Sequence, residues 1–205
     1  MTPKFDKLVE DMDPGQQQPP AIVQQAVHPS QQLMNNYILF LKGQENDAKA
    51  GWNPKTKRWM PHKSVEGGTQ TLAYGHKFPS ADAQKQWYKD NPRGITEQQA
   101  VQLLYNDISA HALRAKAIVD KVYKPGTWMK LPVDVKLMFT ELEYNPGLSQ
   151  FPTFMKAVIS NNWTGKADSA DKQYTRKTGK KSLTRRNNAF YNLFLKKRVA
   201  AAQKK

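Results

Sequence analysis

The chain has 205 residues, room for one well-formed core and a tail but not for two large domains. Its 32 Lys and Arg against 17 Asp and Glu leave a net charge of +15, and hydrophobic residues make up 39%, below the usual globular share of roughly 45–50%. No cysteine is present, which excludes disulfides, zinc–thiolate sites, iron–sulfur clusters and a cysteine nucleophile. No apolar run approaches the length of a membrane span, and the stretch from Met1 to Asp6 does not read as a secretory signal, so neither is expected.

Residues 1–33 read as a flexible Pro/Gln-rich tail, with 34–205 as the folded domain. The first 35 residues hold seven Gln and five Pro, and Lys4 and Lys7 against Asp6, Glu10, Asp11 and Asp13 give them a net charge of −2. Such a composition buries too little apolar surface to offset its ordering entropy. Leu33, Tyr37, Phe40 and Leu41 recur at helical spacing and predict a helix ending near Gly43 or Gln44, with Glu45 at its end. Residues 50–78, broken by glycines and prolines around Thr, Trp and Tyr, predict irregular β-hairpins. Trp52 and Trp59 lie in an enlarged loop there, one expected to pack and the other open to sugar stacking.

A long helix follows, with Thr96 as N-cap, Gln99 closing a capping box, and an apolar stripe from Ile95 to Val119 that stops before Pro125-Gly126. Pro132 at the first helical position opens another helix, closed by Asn145-Pro146-Gly147. A further helix carries Phe151, Phe154, Val158 and Ile159, and a last one begins near Thr184. The fold class is therefore mainly α (α+β), with a small β-rich lobe over about residues 45–95 and a helical C-terminal lobe.

Residues 172–205 carry twelve Lys or Arg and no acid. Such a tract suits a nucleic acid, an anionic wall polymer or a merely solvated face. No nucleic-acid-binding motif accompanies it, so no nucleic acid is expected as a partner. The β-rich region is more specific, because glycoside hydrolysis needs a protonated acid for the leaving oxygen and a second group for water or the anomeric carbon.

Thr71-Leu72-Ala73-Tyr74-Gly75-His76 resembles the Thr-Ile-Gly-Tyr-Gly-His signature of phage-type lysozymes, muramidases found as endolysins and as tail-associated enzymes. Glu45 stands where that family has its catalytic Glu. The run from Ile95 through Asp107-Ile108, Leu131-Pro132 with Tyr144-Asn145-Pro146-Gly147, and Leu183-Thr184-Arg185-Arg186 are similar to its other segments, in order, over residues 34–198. The chain departs from the pattern in Asn46-Asp47, where Gly usually follows the Glu, and in a longer Glu-to-Thr interval.

The resemblance implies a two-lobed lysozyme-like fold and hydrolysis of the β-1,4 bond between N-acetylmuramic acid and N-acetylglucosamine, without metal or organic cofactor. It makes Glu45 the general acid, with Glu141 and Glu143 next in line. Thr71 holds the water or the sugar. Ser64 aligns with the family's Asp, whereas Glu66 is the only carboxylate between Asp47 and Thr71 and is the first choice for the second role, with Asp47 in reserve. Tyr144, Asn145, Ser64 and Arg185 are the implied glycan-binding residues, and His76 is structural.

The implied partners are bacterial peptidoglycan, the anionic envelope through a basic face that includes Arg185, Arg186, Lys196, Lys197 and Arg198, and other virion proteins through the N-terminal tail. The implied location is the host cytoplasm before release to the wall, or the virion. A non-catalytic virion component on the same fold is the rival reading, and a basic nucleic-acid-binding protein is a more distant one.

Overall fold

The computed structural model describes residues 29–63, 70–178 and 181–204. Ser64 and Glu66, and residues 1–28 of the tail, lie outside the described residues. The protein is mostly helical with small antiparallel sheets, and no described helix is long and apolar enough to cross a membrane. The described residues divide into two compact units, one within Ile38–Asp107 and the other combining those up to Tyr37 with those from Ile108 on.

Helix α1 (Pro29–Glu45) ends in the first unit. Next come β1 (Trp52–Asn53) and β2 (Arg58–Trp59), then β3 (Thr71–Leu72) and β4 (His76–Lys77). Helix α2 (Ala81–Asp90) and strand β5 (Ile95–Thr96) lead into α3 (Glu97–Val122). Strand β2 is the middle of a three-stranded antiparallel sheet, with Trp59 opposite Trp52 on one side and Ile95 on the other. The core of this unit is Leu41, Trp59, Leu72, Tyr74, Phe78, Ile95 and Leu104, all buried.

Helix α2 has no counterpart in the expectations above. None of its residues is buried, so it carries no apolar stripe to announce it; Ser80 caps it by accepting from Ala83 N at 3.1 Å. Ile95 and Thr96, expected at a helix start, form β5 instead. Thr96 still caps α3 by the reciprocal pair expected, with Gln99 N donating to Thr96 Oγ1 at 3.2 Å and Thr96 N to Gln99 Oε1 at 2.8 Å.

In the second unit, α4 (Val133–Tyr144) is followed by α5 (Pro152–Ile159), the short α6 (Ala170–Gln173), and a hairpin of β6 (Lys177–Thr178) with β7 (Lys181–Ser182). The chain closes with α7 (Thr184–Phe190), a π-helical turn over Tyr191–Leu195, and α8 (Lys196–Ala202). Pro132 precedes α4 rather than opening it, because its ψ of 152° is extended. Phe139, Phe154, Phe190 and Phe194 lie in the core, the first three joined edge-on at 6.0–6.2 Å between centroids and Phe190 tilted against Phe194 at 5.1 Å.

Glu141 lies in this core, wholly buried. It accepts from Arg176 Nη2 at 3.0 Å and Arg186 Nε at 2.9 Å. Arg186, expected on an exposed basic face, is thus an interior counter-ion, because a buried carboxylate on α4 must be neutralised. Arg198 is also spoken for: it grips Asp134 at 2.5 and 2.7 Å, and its guanidinium lies 4.6 Å from the Trp163 ring centre. Arg185, Lys196 and Lys197 are exposed.

Candidate active site

The site is built in the unit Ile38–Asp107. Glu45 is the last residue of α1 and half-buried. The hairpin β3–β4 turns through Ala73-Tyr74-Gly75, where Ala73 and Gly75 both have positive φ (49° and 84°). A Cβ placed on Gly75 would stand 3.2 Å from Glu45 Oε2 and 3.5 Å from Glu45 Cβ, so the carboxylate lies directly against this turn. Only a glycine leaves that space, and only a glycine adopts that backbone cheaply.

The next residue holds the arrangement in place. Asn46 is buried, and its side-chain amide donates to Ala73 O at 2.7 Å and Ala50 O at 2.8 Å. Its Oδ1 accepts from Ala50 N at 2.8 Å. One side chain thus ties the end of α1 to the hairpin turn and to the loop that leads into β1.

Thr71 is also buried. It forms a two-way backbone pair with His62, with N···O distances of 2.8 and 2.9 Å. On the same pair, Thr71 Oγ1 lies 3.4 Å from His62 Nε2 and 3.5 Å from Nδ1. His62 Nδ1 sits 3.2 Å from Lys63 O, and His62 Nε2 is 3.5 Å from Asn46 Nδ2. Asp47, beside Asn46, is exposed.

A second carboxylate braces the site. Glu97, the first residue of α3, accepts from Lys42 Nζ at 2.6 Å, Tyr74 Oη at 2.6 Å and Trp59 Nε1 at 2.7 Å. Burial pushes its pKa up, but the three donors together outweigh that and hold it below the usual carboxylate range. The same burial and the same carboxylate drive the Tyr74 phenol well above its ordinary value, so it remains a donor. Trp59 is buried in this network, and Trp52 packs against it in a tilted arrangement at 5.1 Å between ring centres while half-exposed. His76 Nδ1 faces both oxygens of Asp107 at 3.1 Å and so ties β4 to α3.

The remaining predicted residues belong to the other unit. Tyr144 stacks on His111 at 4.5 Å between ring centres. Asn145 ends α4, and its carbonyl accepts from Arg176 Nε at 2.9 Å. Glu143 is engaged by Leu148 N at 2.9 Å and by Arg114 Nε at 3.4 Å. Glu141, with no exposed surface and two arginines on one oxygen, has no access to a substrate. Among the described residues, no cluster of three or more His, Asp and Glu is placed to hold a metal ion.

Sequence reasoning singled out Glu45 and Thr71 but passed over His62, Asn46 and Glu97. Symmetric pairing about Glu66-Gly67 would have set His62 opposite Thr71. Nothing in the sequence marks Glu97 as an acceptor for three distant donors. Comparisons of the chain with protein-family models, curated proteins and solved structures return no match.

Proposed function

We propose that the protein is a peptidoglycan muramidase of phage-lysozyme type, with a two-lobed lysozyme-like fold, acting on bacterial cell walls at lysis or wall penetration. The observation that carries the reading is the seating of the Glu45 carboxylate against Gly75, in the turn of the Thr71–His76 hairpin. A carboxyl group at a helix end is ordinarily solvated. Here it is fixed against a hairpin whose sequence independently resembles the signature of these enzymes, with Thr71 on the same two strands.

In this reading Glu45 gives its proton to the glycosidic oxygen as the C–O bond breaks, and the electron pair leaves with that oxygen. Thr71 holds water or sugar beneath the bond. A second group takes a proton from the attacking water, and from sequence alone Glu66 is the first choice for it. Tyr144, Asn145 and Arg185 bind the glycan chain, and exposed Lys196 and Lys197 draw the protein to anionic wall polymers.

The test is Glu45→Gln, which keeps the shape of the side chain but has no proton to give. Wild type is expected to clear a peptidoglycan zymogram and release reducing ends, and the variant to lose roughly 10²–10⁴-fold in rate at an unchanged melting temperature. A folded variant with near wild-type rate removes Glu45 from this role. A wild type that binds walls without cleaving them leaves only the non-catalytic virion reading.

A further inference from the structure

We propose that His62 is the group that takes the proton from the attacking water, with Thr71 Oγ1 as the other ligand of that water; the inference rests on the muramidase reading above.

In a neutral ring the contacts favour Nε2 as the basic nitrogen. His62 Nδ1 lies 3.2 Å from Lys63 O, an oxygen that can only accept, so Nδ1 carries the hydrogen. Nε2 is left with its lone pair. Among the described residues the nearest donor to it other than Thr71 is Asn46 Nδ2 at 3.5 Å, but the two hydrogens of that amide are committed to Ala50 O and Ala73 O at 2.8 and 2.7 Å. Thr71 Oγ1, 3.4 Å from Nε2 and 3.5 Å from Nδ1, lies off the axis of that lone pair but close enough to share with it a water that the lone pair binds.

The ring cannot turn freely. The backbone pairing with Thr71 fixes its strand, and Gly51 lies so close that a Cβ there would come within 3.0 Å of His62 Cδ2. His62 is half-buried, so water reaches it. Asn46, which touches both the ring and the turn, is the direct neighbour of Glu45. Glu45 meets Gly75, Asn46 meets Ala73 and the His62 ring, and His62 pairs with Thr71, so a chain of contacts through the β3–β4 hairpin links acid, hydroxyl and imidazole.

The step balances with these groups. His62 Nε2 accepts one proton from water as the water oxygen forms its bond to the anomeric carbon. The glycosidic C–O bond breaks, and its oxygen receives the proton of Glu45. Solvent then returns one proton from the imidazolium to the Glu45 carboxylate, so no other reactant is consumed. A neutral imidazole supplies what Ser64, the residue aligned with the family's Asp, does not have.

The experiment compares wild type with His62→Ala, His62→Gln and Glu66→Gln on soluble peptidoglycan fragments, with and without added imidazole, and with Glu45→Gln as the inactive reference. Both His62 variants are expected to lose roughly 10²–10⁴-fold in kcat. Imidazole should restore His62→Ala in a saturable way and leave His62→Gln and Glu45→Gln unchanged, a response that a merely structural role would not give. His62→Gln, which keeps bulk beside Gly51, covers the case in which the alanine variant does not fold. The proposal is overturned if folded His62 variants stay within about threefold of wild type. It is equally overturned if imidazole does not restore His62→Ala, and an inactive Glu66→Gln then makes Glu66 the base. A wild type inactive in the same assay overturns the muramidase reading itself, and is told apart by the absence of any rate to lose.

Discussion

Asn46 and Ala73 are joined by a 2.7 Å hydrogen bond that ties the end of α1 to the turn of the β3–β4 hairpin. Ala73 has φ of 49°, a left-handed conformation that costs an alanine roughly 1–2 kcal/mol. The amide of Asn46 grips the carbonyl of that strained residue, so the two residues form one unit. Ala73→Gly alone should stabilise the protein slightly by relieving the backbone. Asn46→Gly should cost about 1–3 kcal/mol, since it strips the partner from the carbonyl of buried Ala73 and also frees the backbone of exposed Ala50. A double-mutant cycle by denaturant melts checks the link: coupling of at least about 0.5 kcal/mol is expected for residues in contact, and strict additivity would refute it.

Glu97 should make stability depend on pH in acid. Its pKa is lower folded than unfolded, so its contribution is complete above the unfolded value and lost as pH falls through the folded one. The side chain is 43% exposed, so solvent screening keeps the effect modest. Glu97→Gln should flatten the acid limb of the Tm-against-pH curve and lower Tm at neutral pH. An acid limb as steep as that of wild type would remove Glu97 as a source of that dependence.

Glu141 and Arg186 should behave as a structural pair. Removing one partner of a buried ion pair leaves an uncompensated charge, at about 3–5 kcal/mol. Glu141→Ala and Arg186→Ala should therefore both melt far earlier than wild type. Arg185→Ala, on the exposed side of the same helix, should hardly shift the melt. The reverse order in a thermal scan would contradict the assignment.

What was legible in the sequence followed from periodicity and caps. The Thr96/Gln99 box and the stripe from Leu104 to Val119 located α3, and the turn residues after Tyr144 located the end of α4. Two kinds of feature escaped. Helix α2 buries none of its residues, so no apolar pattern betrays it. Arg186, Arg198 and Glu97 were hidden for another reason: a charged residue reads as surface until its distant partner is known. Arg186 meets Glu141 across 45 positions and Arg198 meets Asp134 across 64. Of the site, Glu45 and Thr71 were visible through a motif. His62 depended on strand register, which the Gly-rich stretch before Thr71 left open.

The basic C-terminal helix should split into two functions. Lys196 and Lys197 are exposed, and exposed charges steer association and are screened by salt. Lys196→Gln with Lys197→Gln should weaken sedimentation with whole walls several-fold at low salt, with little change in Tm or in turnover of a soluble fragment. Arg198→Gln should instead lower Tm, because it loses both bonds to Asp134 and its stacking on Trp163. Equal wall-binding losses from both variants, with Tm unchanged, would contradict the division.

Gly75→Ala separates strain from chemistry. The new methyl would meet two penalties: a φ of 84°, and Glu45 Oε2 at 3.2 Å, tighter than ordinary contact. Gly126→Ala supplies the control, since its φ is 81° and nothing lies within 4 Å of the added carbon. Both variants should lose roughly 1 kcal/mol of stability or somewhat more to the backbone. Only Gly75→Ala should also displace the Glu45 carboxylate, and a misplacement near 1 Å can cost about 10²-fold in rate. Measured well below both melting transitions, turnover of Gly126→Ala is expected to match wild type, and that of Gly75→Ala to fall at least about tenfold. Equal activity in the two would mean that the Glu45–Gly75 contact does not govern the reaction.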